Sequence, residues 1–158
     1  MRTYFLDLDN DIRKALIEQL RNLWTHSSTA IEGNTLTLGE TAFVLTEGLT
    51  VSGKPLKDHK EVEGHAKAIG ILYEMLDKER IIADDLFLLH KAVQTESVVD
   101  VLNPVGAWKK ENNGTYHIDS RGKQLFVNYV EPQKVPSLME KWLDKYRELV
   151  AEISQVFQ

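Results

Sequence analysis

Cysteine is absent from all 158 residues, which removes disulfide bonds, thiolate zinc sites and a cysteine nucleophile at once. That absence fits a reducing compartment, and the cytoplasm is the expected location. Long apolar runs are missing too: no stretch reaches the ~18 consecutive apolar residues of a membrane-spanning helix, so no membrane association is expected. The N-terminal stretch MRTYFLDLDNDIRKALIEQL scatters acids among its apolar residues and has neither an h-region nor a small-residue cleavage site. Export by a secretory leader is therefore not expected. Positive charge is in deficit, with 19 Lys and Arg against 24 Asp and Glu and a net charge of -5. Such a chain has no general attraction to phosphate backbones, so nucleic acid is not an expected partner. Internal repeats, low-complexity tracts and linkers are also lacking.

What is present is a 42% hydrophobic content, enough for a packed core and consistent with one domain over 1–158. Ile12, Leu16, Leu20, Leu23 and Trp24 recur at helical spacing, with Asp9 or Asn10 able to cap the start, and predict a first helix from about Asn10 to His26. Thr37 and Glu40 read as a capping box opening a short helix from Leu38 to about Glu47, closed by Gly48 and the Ser52-Gly53-Lys54-Pro55 turn. Val62, His65, Ala66, Ile69, Leu72, Met75 and Leu76 mark a third helix. A fourth is expected over Asp84 to Gln94, with Leu86, Leu89, His90 and Val93 on one face and His90 as a hydrogen-bonded core histidine.

From Thr95 to Val135 the helical period disappears. Two short alternating runs, Thr115 to Asp119 and Gln124 to Val130, flank Ser120-Arg121-Gly122-Lys123 and predict a β-hairpin. A last helix, 136–157, carries Leu138, Met139, Trp142, Leu143, Tyr146, Leu149, Val150, Ile153, Val156 and Phe157 as a wide apolar stripe. Its apolar character persists to the final residues with no capping glycine, proline or polar tail, as in a chain that continues. The fold class is thus mainly α, a bundle of about five helices with one inserted hairpin. Five histidines occur, but His59 and His65 miss the i, i+4 spacing of zinc helices and His26, His90 and His117 are far apart, so no metal site is expected.

The stretch Ser28-Thr29-Ala30-Ile31-Glu32-Gly33-Asn34 resembles the inhibitory motif of the Fic (Fido) family, Ser or Thr, three residues, Glu, then Gly or Asn. By themselves these residues also suit an ordinary helix end with a solvated glutamate. The order of features continues, however, through Thr35-Leu36-Thr37-Leu38, the Ser52–Pro55 turn, Glu61-Val62, His65-Ala66, Leu89-His90 and Gly106-Ala107-Trp108-Lys109. The resemblance spans roughly Leu23 to Tyr146 and corresponds to the N-terminal half of a Fic-like fold. The family's catalytic signature, His-Pro-Phe-x-(Asp or Glu)-Gly-Asn-Gly-(Lys or Arg)-Arg, does not occur in these 158 residues. The Asn113-Gly114 pair at the start of the hairpin lacks His-Pro-Phe.

The resemblance implies an enzyme class that transfers AMP from ATP to a protein hydroxyl, an adenylyltransferase, with ATP and magnesium bound by the complete family domain and no cofactor held by this chain. It implies no catalytic residue here, a regulatory motif at Ser28, Glu32, Gly33 and Asn34, and a target-docking flap at Tyr116, His117 and Ile118. Glu32 would occupy the arginine fork that otherwise clamps the ATP γ-phosphate; Gly33 would allow the tight exit and Asn34 would tolerate a left-handed backbone. Glu32 is expected near the end of a short helix around 27–34, facing a groove. The expected partners are a catalytic half or second chain covering the terminal helix, and a target protein. Two other readings stay open: a stand-alone inhibitor lending Glu32 in trans, and a helical interaction module in which these features are scaffold.

Overall fold

The computed structural model describes residues 8–76, 78–94 and 104–156. Among them are α1 (Asn10–Ile31), α2 (Leu38–Glu47), α3 (Leu56–Met75), α4 (Ala83–Val93), the strands β1 (Gly114–Ile118) and β2 (Gln124–Asn128), and α5 (Val135–Val156). The architecture is mainly α with one antiparallel hairpin, as the periodicity predicts. None of the described helices is long and apolar enough to cross a membrane.

Two compact units share α4. The first is built from α1, α2, α3 and the part of α4 from Leu88 onward. Its centre is Leu36, Val44 and Val62, with Val51 packed against them. The sequence places Ile12, Leu23 and Trp24 on the packing stripe of α1, but these are 55%, 45% and 45% exposed, and the buried side chains of that helix are Thr25 and Thr29. The difference lies in what α3 offers: its buried positions include Gly64, Ala66 and Ala68, and the Thr25 hydroxyl lies 3.3 Å from the α3 residue His65. The Thr29 hydroxyl donates to the Thr25 carbonyl at 2.9 Å, which satisfies it inside its own helix. On α3, Val62, Ala66, Ile69 and Met75 are buried as predicted, whereas Leu72 and Leu76 are about half exposed.

Helix boundaries follow local chemistry. α2 opens with the predicted box: the Glu40 amide donates to the Thr37 hydroxyl oxygen (3.2 Å) and the Thr37 amide to the Glu40 carboxylate (2.7 Å). It closes on Gly48 at φ 66°. Asp9 occupies the N-cap position of α1, yet its side chain makes no capping bond. α3 starts at Leu56, directly after Pro55 and well before its apolar period becomes visible. His90, expected in the core, is exposed on α4 instead; the buried side chains of that helix are Asp85 and Ala92.

The second unit comprises the start of α4, the hairpin and α5. Trp108 packs edge-on against Phe87 with ring centroids 4.6 Å apart. A single 3-10 turn, Pro132–Lys134, leads into α5. On α5 Leu143 is buried, while Leu138, Trp142, Tyr146, Leu149, Val150 and Ile153 are 38–58% exposed. Trp142 and Tyr146 stack on each other at 5.7 Å. Phe157, and Thr95 at the start of the non-helical region, lie outside the described residues.

Candidate functional site: the exit of helix α1

The Ser28–Asn34 stretch is the last turn and exit of α1, a 22-residue helix. The separate short helix expected around 27–34 is therefore replaced by the end of a long one, because nothing between His26 and Ile31 interrupts the helical backbone. Glu32 is the C-cap residue. The Gly33 amide donates to the Ala30 carbonyl (3.0 Å) and the Asn34 amide to the Thr29 carbonyl (3.1 Å), the paired bonds of a Schellman closure. Gly33 takes φ 92°, so the glycine absorbs the left-handed step. Asn34 does not: no described residue other than glycine has positive φ.

Asn34 instead bonds through its side chain. Its Nδ2 donates to the Asp58 carbonyl and to Glu61 Oε2, both at 2.9 Å, and its Oδ1 accepts from the Leu36 amide at 3.0 Å. Beside it, the Thr35 amide and hydroxyl donate to Asp58 Oδ2 at 2.8 and 2.5 Å. Lys54 donates to the Thr35 carbonyl (2.6 Å) and pairs with Glu40 (3.3 Å). The exit of α1, the start of α2, the 52–55 turn and the first turns of α3 are thus tied together by polar contacts. His59 completes the base: the Val51 amide donates to Nε2 (2.8 Å), which leaves Nδ1 to carry the ring proton toward the Pro55 carbonyl (2.8 Å).

A groove of about 260 Å³ runs beside this exit, lined by Ser28, Thr29, Glu32, Lys57, Glu61, His65 and Val93. Its two carboxylates differ in circumstance. Glu61 is engaged on both oxygens, by Asn34 and by Lys57 at 3.4 Å. Glu32 is exposed, and among the described residues its carboxylate has neither a hydrogen bond nor an ion pair. On the opposite wall, His65 Nδ1 lies 3.3 Å from the Thr25 hydroxyl, and burial lowers its proton affinity. An unpaired carboxylate on the wall of a groove whose other charges are already paired is suited to receive a cation.

The hairpin pairs Gly114 with Asn128, Thr115 with Val127, Tyr116 with Phe126, His117 with Leu125 and Ile118 with Gln124. β2 ends at Asn128, two residues before the predicted limit, although the Tyr129 amide still donates to the Asn113 carbonyl in the same register at 2.9 Å. Gly114 is required by close approach, since a Cβ there would press on the Val127 carbonyl and the Phe126 ring. The closing turn is organised by Asp119, whose Oδ1 accepts from the Arg121 and Lys123 amides, each at 2.9 Å. Tyr116 and Ile118 are 65% and 66% exposed and share a strand face, and His117 is exposed on the other. Among the described residues the sheet has two strands only, so the outer edge of each is open.

Of the expected motif residues Ser28, Glu32, Gly33 and Asn34, Ser28 and Glu32 line the groove, Gly33 makes the helix exit and Asn34 reaches α3. Sequence reading missed Thr35, Asp58 and Glu61 as their supports. Lys57-Asp58-His59-Lys60-Glu61 looks like an ordinary solvated helix face, yet Asp58 and His59 within it are buried.

No protein-family model matches the chain. It is 39% identical over 74 residues to the protein adenylyltransferase fic-1 of Caenorhabditis elegans, a match covering 45% of this chain and 15% of that protein. It is 36% identical over 126 residues to the protein adenylyltransferase Fic of Nematostella vectensis, covering 78% of this chain and 26% of the relative. Its backbone superposes with a TM-score of 0.72 on a Fic domain containing signaling protein from Bacteroides thetaiotaomicron, at 22% identity, over 96% of this chain and 55% of the other. The chain spans between 15% and 26% of the length of these two curated relatives. With an ordered series of matching motifs, these sequence relatives and this backbone, the chain belongs to the Fic domain family.

Proposed function

We infer that this chain is the regulatory and target-docking part of a Fic-type protein adenylyltransferase, with Glu32 as its brake. The observation that carries the reading is the unpaired Glu32 carboxylate on the wall of the α1–α3 groove, beside a Glu61 whose charge is already engaged. A guanidinium entering that groove meets one free carboxylate with the planar two-oxygen geometry that suits a bidentate pair. An arginine held there cannot hold a nucleotide phosphate, so inhibition needs no further contact. ATP and magnesium belong to the complete family domain, and the transfer also needs a base and a phosphate cradle that this chain does not contribute. The hairpin, with two open edges and exposed Tyr116, His117 and Ile118, is suited to hold an extended target segment by strand addition.

Two measurements test the reading. With ATP labelled in its α-phosphate, the 158-residue chain alone should label neither itself nor added proteins; robust labelling by a homogeneous preparation contradicts it. Supplied to a Fic enzyme whose own inhibitory glutamate has been removed, the chain should slow labelling by about ten- to hundredfold, the worth of one charge-assisted pair, and the Glu32→Gly chain should not. Equal inhibition by both chains would show that Glu32 is not the brake.

A further inference from the structure

We propose that Asn34 is the positioning residue for Glu32: by tying the exit of α1 to the first turns of α3, it holds the free carboxylate against the groove. This rests on the reading of Glu32 given above. The last turn of a helix frays unless something outside the helix holds it. Glu32 itself supplies no such anchor, since its carboxylate has no partner among the described residues. The backbone closure through Gly33 and Asn34 fixes the local turn but not its place relative to α3.

The Asn34 side chain provides that second fixation. Both amide hydrogens are used, one on the Asp58 carbonyl and one on Glu61 Oε2, across 24 and 27 residues of chain, while its oxygen holds the Leu36 amide. The same bond has an electrostatic consequence. With Lys57 on the other oxygen, it engages Glu61, so the cation entering the groove is directed to Glu32 rather than shared. Thr35, bonded twice to the buried Asp58 carboxylate, prevents the segment from pivoting about Asn34.

The test uses N-acetyl-arginine amide as a guanidinium probe, titrated into the 158-residue chain and followed at the Glu32 side-chain carboxyl carbon by NMR, with E32Q, N34A and N34S beside wild type. For the E32Q chain, where that carbon reports a different group, shifts of Gly33 and Lys57 follow binding. Asn34→Ser keeps an acceptor for the Leu36 amide but cannot reach α3, so it separates the tie between helices from the local turn. E32Q should weaken binding at least tenfold; if it does not, the reading of Glu32 itself fails and this inference with it. Given that loss, N34A and N34S should each weaken binding about three- to tenfold while still unfolding cooperatively. Wild-type affinity in either variant overturns the positioning role and leaves the brake standing. A measurement on wild type alone covers variants that do not fold: the Gly33 and Asn34 amides should exchange as slowly as those in the middle of α1, and exchange at frayed-end rates overturns the proposal.

Discussion

Asp58 is 6% exposed and, among the described residues, has no cation within ion-pair distance; two donors from Thr35 meet it instead. Burial alone would push its carboxyl up, but the Thr35 hydroxyl and amide, helped by Lys57, hold it below the ordinary aspartate range. A depressed value means that the unfolded chain binds the proton more readily than the folded one. The contribution is therefore complete above the ordinary range and is lost as the pH falls below about 4. His65 acts in the same direction at higher pH, because burial disfavours its charged form and acid must drive it outward from about pH 6.5 downward. The Asp58→Asn chain should be less stable than wild type by about 1–3 kcal/mol at pH 7, with the gap closing toward pH 3. Urea unfolding at a series of pH values checks this, and a gap that does not change with pH would remove Asp58 from the account.

At the scale of elements, two helix ends and one hairpin depend on single residues. Replacing Thr37 by Ala removes the hydroxyl half of the capping box at α2 and should cost about 1 kcal/mol of stability. At the exit of α1 there is open space around Gly33, so Gly33→Ala introduces no clash and only forces an alanine to φ 92°. That should cost about 1–2 kcal/mol and loosen the turn that presents Glu32. Gly114 is the opposite case, with a conformation other residues can adopt but no room for a Cβ. Gly114→Ala should therefore spread the strands at the base of the hairpin and abolish the cross-strand contacts between Thr115 and Val127, while the α1–α3 unit unfolds at its usual denaturant concentration. Nuclear Overhauser contacts across the hairpin, read beside a urea curve, distinguish local from global damage.

At the scale of the whole molecule, the feature with a testable consequence in solution is the exposed apolar face of α5. Stacked Trp142 and Tyr146 continue into Leu149, Val150 and Ile153, all roughly 40–60% exposed. Contiguous apolar surface of this kind favours association, since each Å² removed from water contributes about 25 cal/mol. Sedimentation over a wide concentration range should show a mass that rises with concentration, and replacing Trp142 and Leu149 by Glu should hold the chain at its monomer mass. A monomer at every concentration in the wild-type chain would show that this face has no such tendency.

The sequence by itself determined the order and type of the elements. Capping box, glycine stop and turn residues act over three or four neighbours, so α2 and the hairpin were legible to within a residue or two, and Glu32-Gly33 was recognisable as a helix exit from its order alone. Tertiary structure decided what local patterns cannot contain. It buried Thr25 and Thr29 in place of Trp24, where the Thr29 hydroxyl is met by its own helix and the Thr25 hydroxyl lies beside His65 of α3. It placed His90 outside the core and gave Asn34 a role across 24 and 27 residues of chain where the sequence suggested only a permissive backbone. Periodicity reports which side of a helix is apolar; whether a polar side chain there is solvated or bonded depends on a partner that the chain brings close only by folding.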